Sequence, residues 1–160
     1  MVSTNSTSRT SPKEPGIIFF DGYCALCNRW VDFLLRVLRT RSAKSAHFPF
    51  QMASLQGSTA KKIFGETGRS EFITPPLKTI VLYQRANMEE ATLFLTESDA
   101  IIRIFSALEF PWSLIRLIRI IPRSIRDFVY RVVAKNRYQW FGKRDTCRVP
   151  MPEERQFLLD

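Results

Sequence analysis

Histidine and cysteine are scarce in this chain of 160 residues, with one histidine and three cysteines. So few ligands leave room for one small metal site at most, and an odd, low cysteine count argues against a secreted disulfide scaffold. A cysteine pair in a reducing compartment is then catalytic or metal-binding. Acidic residues are also in short supply: 15 Asp and Glu against 24 Lys and Arg give a net charge of +9. That balance favours acidic partners such as nucleic acid, an anionic membrane or an acidic protein surface. No long apolar run lacks charge. The longest, Ile101 to Ile121, holds Arg103, Glu109, Arg116 and Arg119 with Pro111 in its middle, which excludes a spanning helix of about 20 mostly apolar residues. The first 15 residues have no apolar segment of the kind a secretory signal needs. They read as a disordered tail, and a short organelle transit peptide is the alternative.

At 45% apolar and 24% charged residues, the chain can build one domain with a sizeable core. Ile17–Phe20 is a short buried-strand pattern ending in the turn pair Asp21-Gly22. From Cys27, Trp30, Phe33, Leu34, Val37 and Leu38 make one helical apolar face. His47–Met52 reads as a second strand weakened by Pro49, and Ser58–Phe64 as a short helix closed by Gly65. Leu77–Gln84 reads as a strand, Arg85-Ala86-Asn87 as a turn, and Ala91–Leu95 as the returning arm of a hairpin. Thr96-Glu97-Ser98-Asp99 resembles a capping box and opens a helix to about Leu108. Trp112–Ile121 and Ser124–Val133 are further helical segments, and the chain from Asn136 reads as irregular.

The order strand, helix, strand, helix, strand, strand, helix predicts an α/β fold, a thioredoxin-like sandwich with a helical C-terminal extension. The predicted parts are a tail over 1–15, a core over 16–98, a helical extension over 99–153 and a tail over 154–160.

Cys24 and Cys27 lie three residues apart at a helix start, where both face the same side of one turn and their sulfurs can bond with little backbone movement. A disulfide closing so short a loop adds little stability, so exchange chemistry explains the pair better than structure does. Unpaired N–H groups and the helix dipole stabilise a thiolate at Cys24. Cys24 is the expected nucleophile. Cys27, expected deeper in the turn, would resolve the mixed disulfide. Asp21 is a candidate acceptor for the Cys27 proton, with a turn or capping role as the simpler reading. Tyr23 is a candidate substrate contact, with packing equally served. No bound cofactor is needed, since the dithiol itself carries two electrons, and no metal is assigned.

The run Asp21-Gly22-Tyr23-Cys24-Ala25-Leu26-Cys27 resembles the Asp-Gly-x-Cys-x-x-Cys signature of the DCC family of thiol–disulfide oxidoreductases. Ile121-Pro122-Arg123, Arg126-Asp127 with Tyr130, the run Asn136 to Gly142, and Cys147 followed by Val149-Pro150 are similar to that family's C-terminal pattern. The resemblance spans roughly 16–153. It implies a thioredoxin-like fold, disulfide reductase activity, and Asp21, Cys24 and Cys27 as the site. A thioredoxin-like protein also places a cis-proline opposite the cysteine pair, and Pro75 and Pro76 are the candidates for substrate contact there.

The expected partners are a protein or small-molecule disulfide and a thiol electron donor, in the cytoplasm. Three other readings compete. Cys24, Cys27, Cys147 and His47 could together hold a structural zinc ion. The run Asn136 to Arg144 interleaves aromatic and basic residues as nucleic-acid surfaces do, although packed rings with solvated cations are favoured. Residues 112–121 could lie on a membrane, although packing on the sheet accounts for them too.

Overall fold

The computed structural model describes residues 15–40, 48–77, 79–84, 93–108 and 110–159. The tail over 1–14, His47 and the turn at 85–87 lie outside them, as does the first part of the hairpin arm, 91–92.

Strand β1 (Gly16–Phe20) leads through a turn into helix α1 (Ala25–Thr40), then β2 (Phe50–Ser54), α2 (Ser58–Glu66), β3 (Val81–Gln84), β4 (Leu93–Thr96), α3 (Glu97–Ser106), a 3₁₀ helix (Trp112–Ile120) and α4 (Arg123–Phe141). The sheet order is β2-β1-β3-β4. β2 runs parallel to β1, and β3 runs antiparallel to both β1 and β4. This is the sheet of a thioredoxin-like sandwich.

Alternation along the strands builds the two cores. Ile18, Phe20, Met52 and Leu82 point to one face and pack with Val31, Leu34, Leu35 and Leu38 of α1 and with Ala100 and Ile104 of α3. Phe19, Ala53 and Val81 point to the other and pack with Ala60 and Phe64 of α2. The first loop therefore sits where β1 feeds α1 at one end of the sheet.

Several boundaries differ from the sequence reading, each for a tertiary reason. β2 starts at Phe50 because Pro49 has no N–H to give a ladder, though its carbonyl accepts Gly16 N at 2.8 Å. Gly65 lies within α2, which runs on to Glu66. β3 starts only at Val81 because α4 takes the preceding backbone: Tyr130 Oη accepts Ile80 N at 2.9 Å, and Arg137 Nη2 donates to the Leu77 carbonyl. The capping box before α3 does not form. Thr96 makes no side-chain cap bond and Glu97 has φ 54°. Thr79 Oγ1 and Asp127 Oδ1 accept the Glu97 and Ser98 N–H groups instead, at 3.1 and 3.4 Å.

The segment 112–120 is a 3₁₀ helix, not an α-helix. Residues 136–141, read as irregular, complete a 19-residue α4 that ends at Gly142, where φ is 88°. Within the segment read as a tail, residues 157–159 dock on the outer edge of β2: Met52 N donates to the Phe157 carbonyl at 2.7 Å, Leu159 N to the Met52 carbonyl at 2.9 Å, and Leu158 is buried. This contact covers an otherwise open strand edge.

Candidate active site

Asp21 shapes the loop that carries the cysteines. Its carbonyl accepts Cys24 N at 3.2 Å and its Oδ1 accepts Tyr23 N at 3.1 Å, a local turn closed by the side chain. Buried Asn28 fixes the other side, donating from Nδ2 to the Gly22 carbonyl at 2.8 Å and to the Cys24 carbonyl at 2.9 Å. Helix α1 consequently starts at Ala25, two residues before the sequence reading. Cys24 occupies the N-cap, and its Sγ accepts Cys27 N at 3.3 Å. A sulfur in that place faces the positive end of the helix.

All three cysteines are free thiols. The hydrogen bond from the Cys27 thiol is the largest influence on Cys24. With the Cys27 N–H and the Arg137 charge, and against burial, it lowers Cys24 to about 7. Cys27 moves the opposite way: as the donor to Cys24 and a buried group, it is held well above the usual thiol range. The two thiols are thus split, Cys24 made more acidic and Cys27 holding its proton.

Cys27 does lie deeper among its neighbours, as expected, yet Cys24 is the one without solvent contact. Cys24 is 0% exposed, while Cys27 is half-buried. The cause is the strap that follows α4. Gly142 O accepts Ala25 N at 3.3 Å, Lys143 bridges to Cys24 in antiparallel fashion, and Tyr23 O accepts Arg144 N at 2.8 Å. The Lys143 ammonium lies over the Tyr23 ring, 5.8 Å from its centre. Tyr23, the proposed substrate contact, is therefore covered by the same strap.

Asp21 is 4% exposed and accepts four bonds. Gln56 Nε2 donates at 2.8 Å and Tyr23 N at 3.1 Å to Oδ1, Arg137 Nη2 donates at 3.1 Å to Oδ2, and Tyr138 Oη also donates to Oδ2. Burial and that bond push Tyr138 up to about 12, so its hydroxyl remains a donor at neutral pH. A carboxylate offers about four lone-pair sites. A proton from Cys27 would have to displace one of these donors.

Arg137 was not singled out from the sequence as a site residue. It is buried, and it ties Asp21 to the Leu77 carbonyl beside a cis Pro75–Pro76 bond. Pro75 and Pro76 themselves are exposed. The inward turn of Arg137 and Tyr138 also changes the reading of 136–144. The guanidinium goes into the protein and Trp140 stays exposed, against the expected packing, while Lys143 and Arg144 are solvated as expected.

Cys147 closes the back of the loop. Its Sγ is 3.3 Å from Ser54 Oγ, which donates to Gln56 Oε1 at 2.6 Å. A Cβ on Gly22 would lie 2.3 Å from that sulfur, so only glycine fits there. Among the described residues, no group of three or more His, Cys, Asp or Glu side chains is placed to hold a metal ion, so the three cysteines do not converge on a zinc site, and His47 is outside those residues.

The model of the DCC1-like thiol-disulfide oxidoreductase family matches residues 18–143. The chain belongs to this family. It is 32% identical over 151 residues to the uncharacterized protein YuxK of Bacillus subtilis, covering 94% of this chain and 98% of YuxK. It is 30% identical over 149 residues to a DCC family protein of Arabidopsis thaliana named as chloroplastic, covering 92% of this chain and 77% of that protein. No solved structure matches. The family match runs from β1 through Lys143, so it takes in the cysteine loop, Arg137 and the strap as far as Lys143.

Proposed function

We propose that this protein reduces disulfides through the Cys24–Cys27 dithiol. The observation that carries the reading is the Cys24 sulfur at the α1 N-terminus, which accepts both the N–H and the S–H of Cys27. The Cys24 thiolate attacks one sulfur of a substrate disulfide and expels the other as a thiolate. Cys27 then loses its proton and attacks Cys24, releasing the second substrate thiol and leaving a Cys24–Cys27 disulfide. A thiol donor returns the two electrons.

Asp21 positions Arg137, whose charge favours the Cys24 thiolate. Its service as the Cys27 proton acceptor would require Tyr138 or Gln56 to let go. Tyr23, Pro75 and Pro76 are the proposed substrate contacts, reached once the 142–144 strap parts from Cys24. The sparse, odd cysteine count suits a reducing compartment such as the cytoplasm.

Trapping tests this reading. Cys27→Ser, challenged with a small disulfide, is expected to accumulate an adduct on Cys24 that mass spectrometry assigns. An adduct on Cys147 instead, or none on any cysteine, would refute it.

A further inference from the structure

Helix α4 is built inside out. Ile125, Phe128, Val129 and Val132 follow the i, i+3, i+4, i+7 spacing of an apolar stripe, yet all four are exposed, Phe128 by 66%. The face turned to the protein is polar instead. Asp127 accepts from Ser98 N, Tyr130 hydrogen-bonds Thr79 and Ile80, and Arg137 binds Asp21. The preceding 3₁₀ helix also turns an apolar row outward, although its inward row is apolar too. Side chains three apart eclipse in such a helix. Trp112 lies on the row turned inward and packs edge-on against Phe33 at 4.7 Å, whereas Leu114, Leu117 and Ile120 form an outer row, with Ile120 83% exposed.

A third row holds Arg116 and Arg119. The chain from Arg116 to Lys135 carries six basic residues and one acid, the buried Asp127; Arg123, Arg126 and Arg131 pair with Asp99, Asp127 or Glu97, which leaves Arg116, Arg119 and Lys135 as the cations beside the apolar rows. Arg119 and Lys135 make no ion pair among the described residues, and Arg116 donates to the Ser106 carbonyl at 2.6 Å. Monomers rarely expose so many large apolar side chains on consecutive elements without a partner.

We propose that the outer faces of the 3₁₀ helix and α4 seat the protein on an anionic lipid surface. The apolar rows would enter the interface while the neighbouring cations meet lipid phosphates. The charge decides between occupants: a second copy would set this basic face against itself. Among the described residues no helix is long and apolar enough to cross a membrane, so the contact is one of lying on the surface. The inference stands apart from the redox reading.

The test is flotation of the full chain with vesicles of phosphatidylcholine alone and with added phosphatidylglycerol. Binding is expected only with the anionic lipid and should weaken with salt. Arg119→Ala should weaken it about fivefold. Leu117→Glu with Phe128→Glu should abolish it while leaving the circular dichroism spectrum and the Cys24 titration unchanged, since both residues are solvent-exposed. Failure to float, binding indifferent to that double substitution, or equal binding to both vesicles would overturn the proposal. So would a dimer in solution that the same double substitution dissolves, because a second copy would then occupy the face.

Discussion

Replacing Cys27 by alanine removes the largest influence holding Cys24 near 7 and leaves the opposing burial in place. The Cys27 N–H and Arg137 then stand against burial and the Asp21 charge, so the Cys24 midpoint should rise toward the ordinary value of 9.0. A full return would cut the thiolate fraction at pH 7 about fifty-fold, from about a half to about 1%. The rate of disulfide exchange would fall by much less. A more basic thiolate is a better nucleophile, with a Brønsted slope of about 0.4–0.5, which restores a factor of about six to ten. The midpoint is thus the sharper readout. Thiolate ultraviolet absorbance against pH follows it even for a sulfur without solvent contact, and Cys147→Ala in both proteins removes the third thiol from the signal. A wild-type midpoint in the ordinary thiol range, or one that Cys27→Ala leaves in place, would refute the claim that Cys27 activates Cys24.

The same split sets a pH dependence of stability for the reduced protein. Cys24 is depressed on folding, so its contribution is complete above the unfolded thiol value and is lost as pH falls through about 7. Cys27 is raised, so its contribution is lost as pH rises above the unfolded value. Urea titrations should show stability rising by the order of 2–3 kcal/mol from pH 6 to about 9 and then declining, with the rise absent in Cys24→Ser. Arg137→Met leaves Asp21 buried without its cation and should cost about 3–5 kcal/mol, most of it recovered by adding Asp21→Asn; chemical denaturation of the three variants checks this. At Gly142, φ 88° and ψ 165° suit glycine alone, so Gly142→Ala carries about 1–3 kcal/mol of strain. It should loosen the strap and speed alkylation of Cys24, as maleimide labelling at fixed pH would record. Gly22→Ala drives a methyl into Cys147 and Ser54; its lower melting temperature should be partly restored by Cys147→Ala.

Local signals in the sequence were enough for the half of the site that is local. The apolar run before Asp21-Gly22, the Cys-x-x-Cys spacing and the apolar face of α1 gave the loop and its helix, and the strand and helix order gave the sandwich. The other half comes from residues about 116 positions away. Arg137 and Tyr138 reach Asp21 from α4, and no periodicity announces that contact. The length of α4 was hidden for a related reason. Most surface helices turn an apolar face inward, whereas here the inward face is made of Asp127, Tyr130 and Arg137. The stretch before Val81 looked like strand because its side chains suit one, but α4 takes the Leu77 carbonyl and the Ile80 N–H. The strap could not be foreseen from the motif, and it removes Cys24 from solvent.

The most direct test of the account is a redox titration of the purified protein in glutathione buffers, quenched with acid and mapped by thiol-specific mass spectrometry. The account predicts one reversible two-electron couple, a Cys24–Cys27 disulfide at a defined potential, with Cys147 unchanged. A pair that forms no reversible disulfide, or stays masked until a chelator frees it, would contradict it.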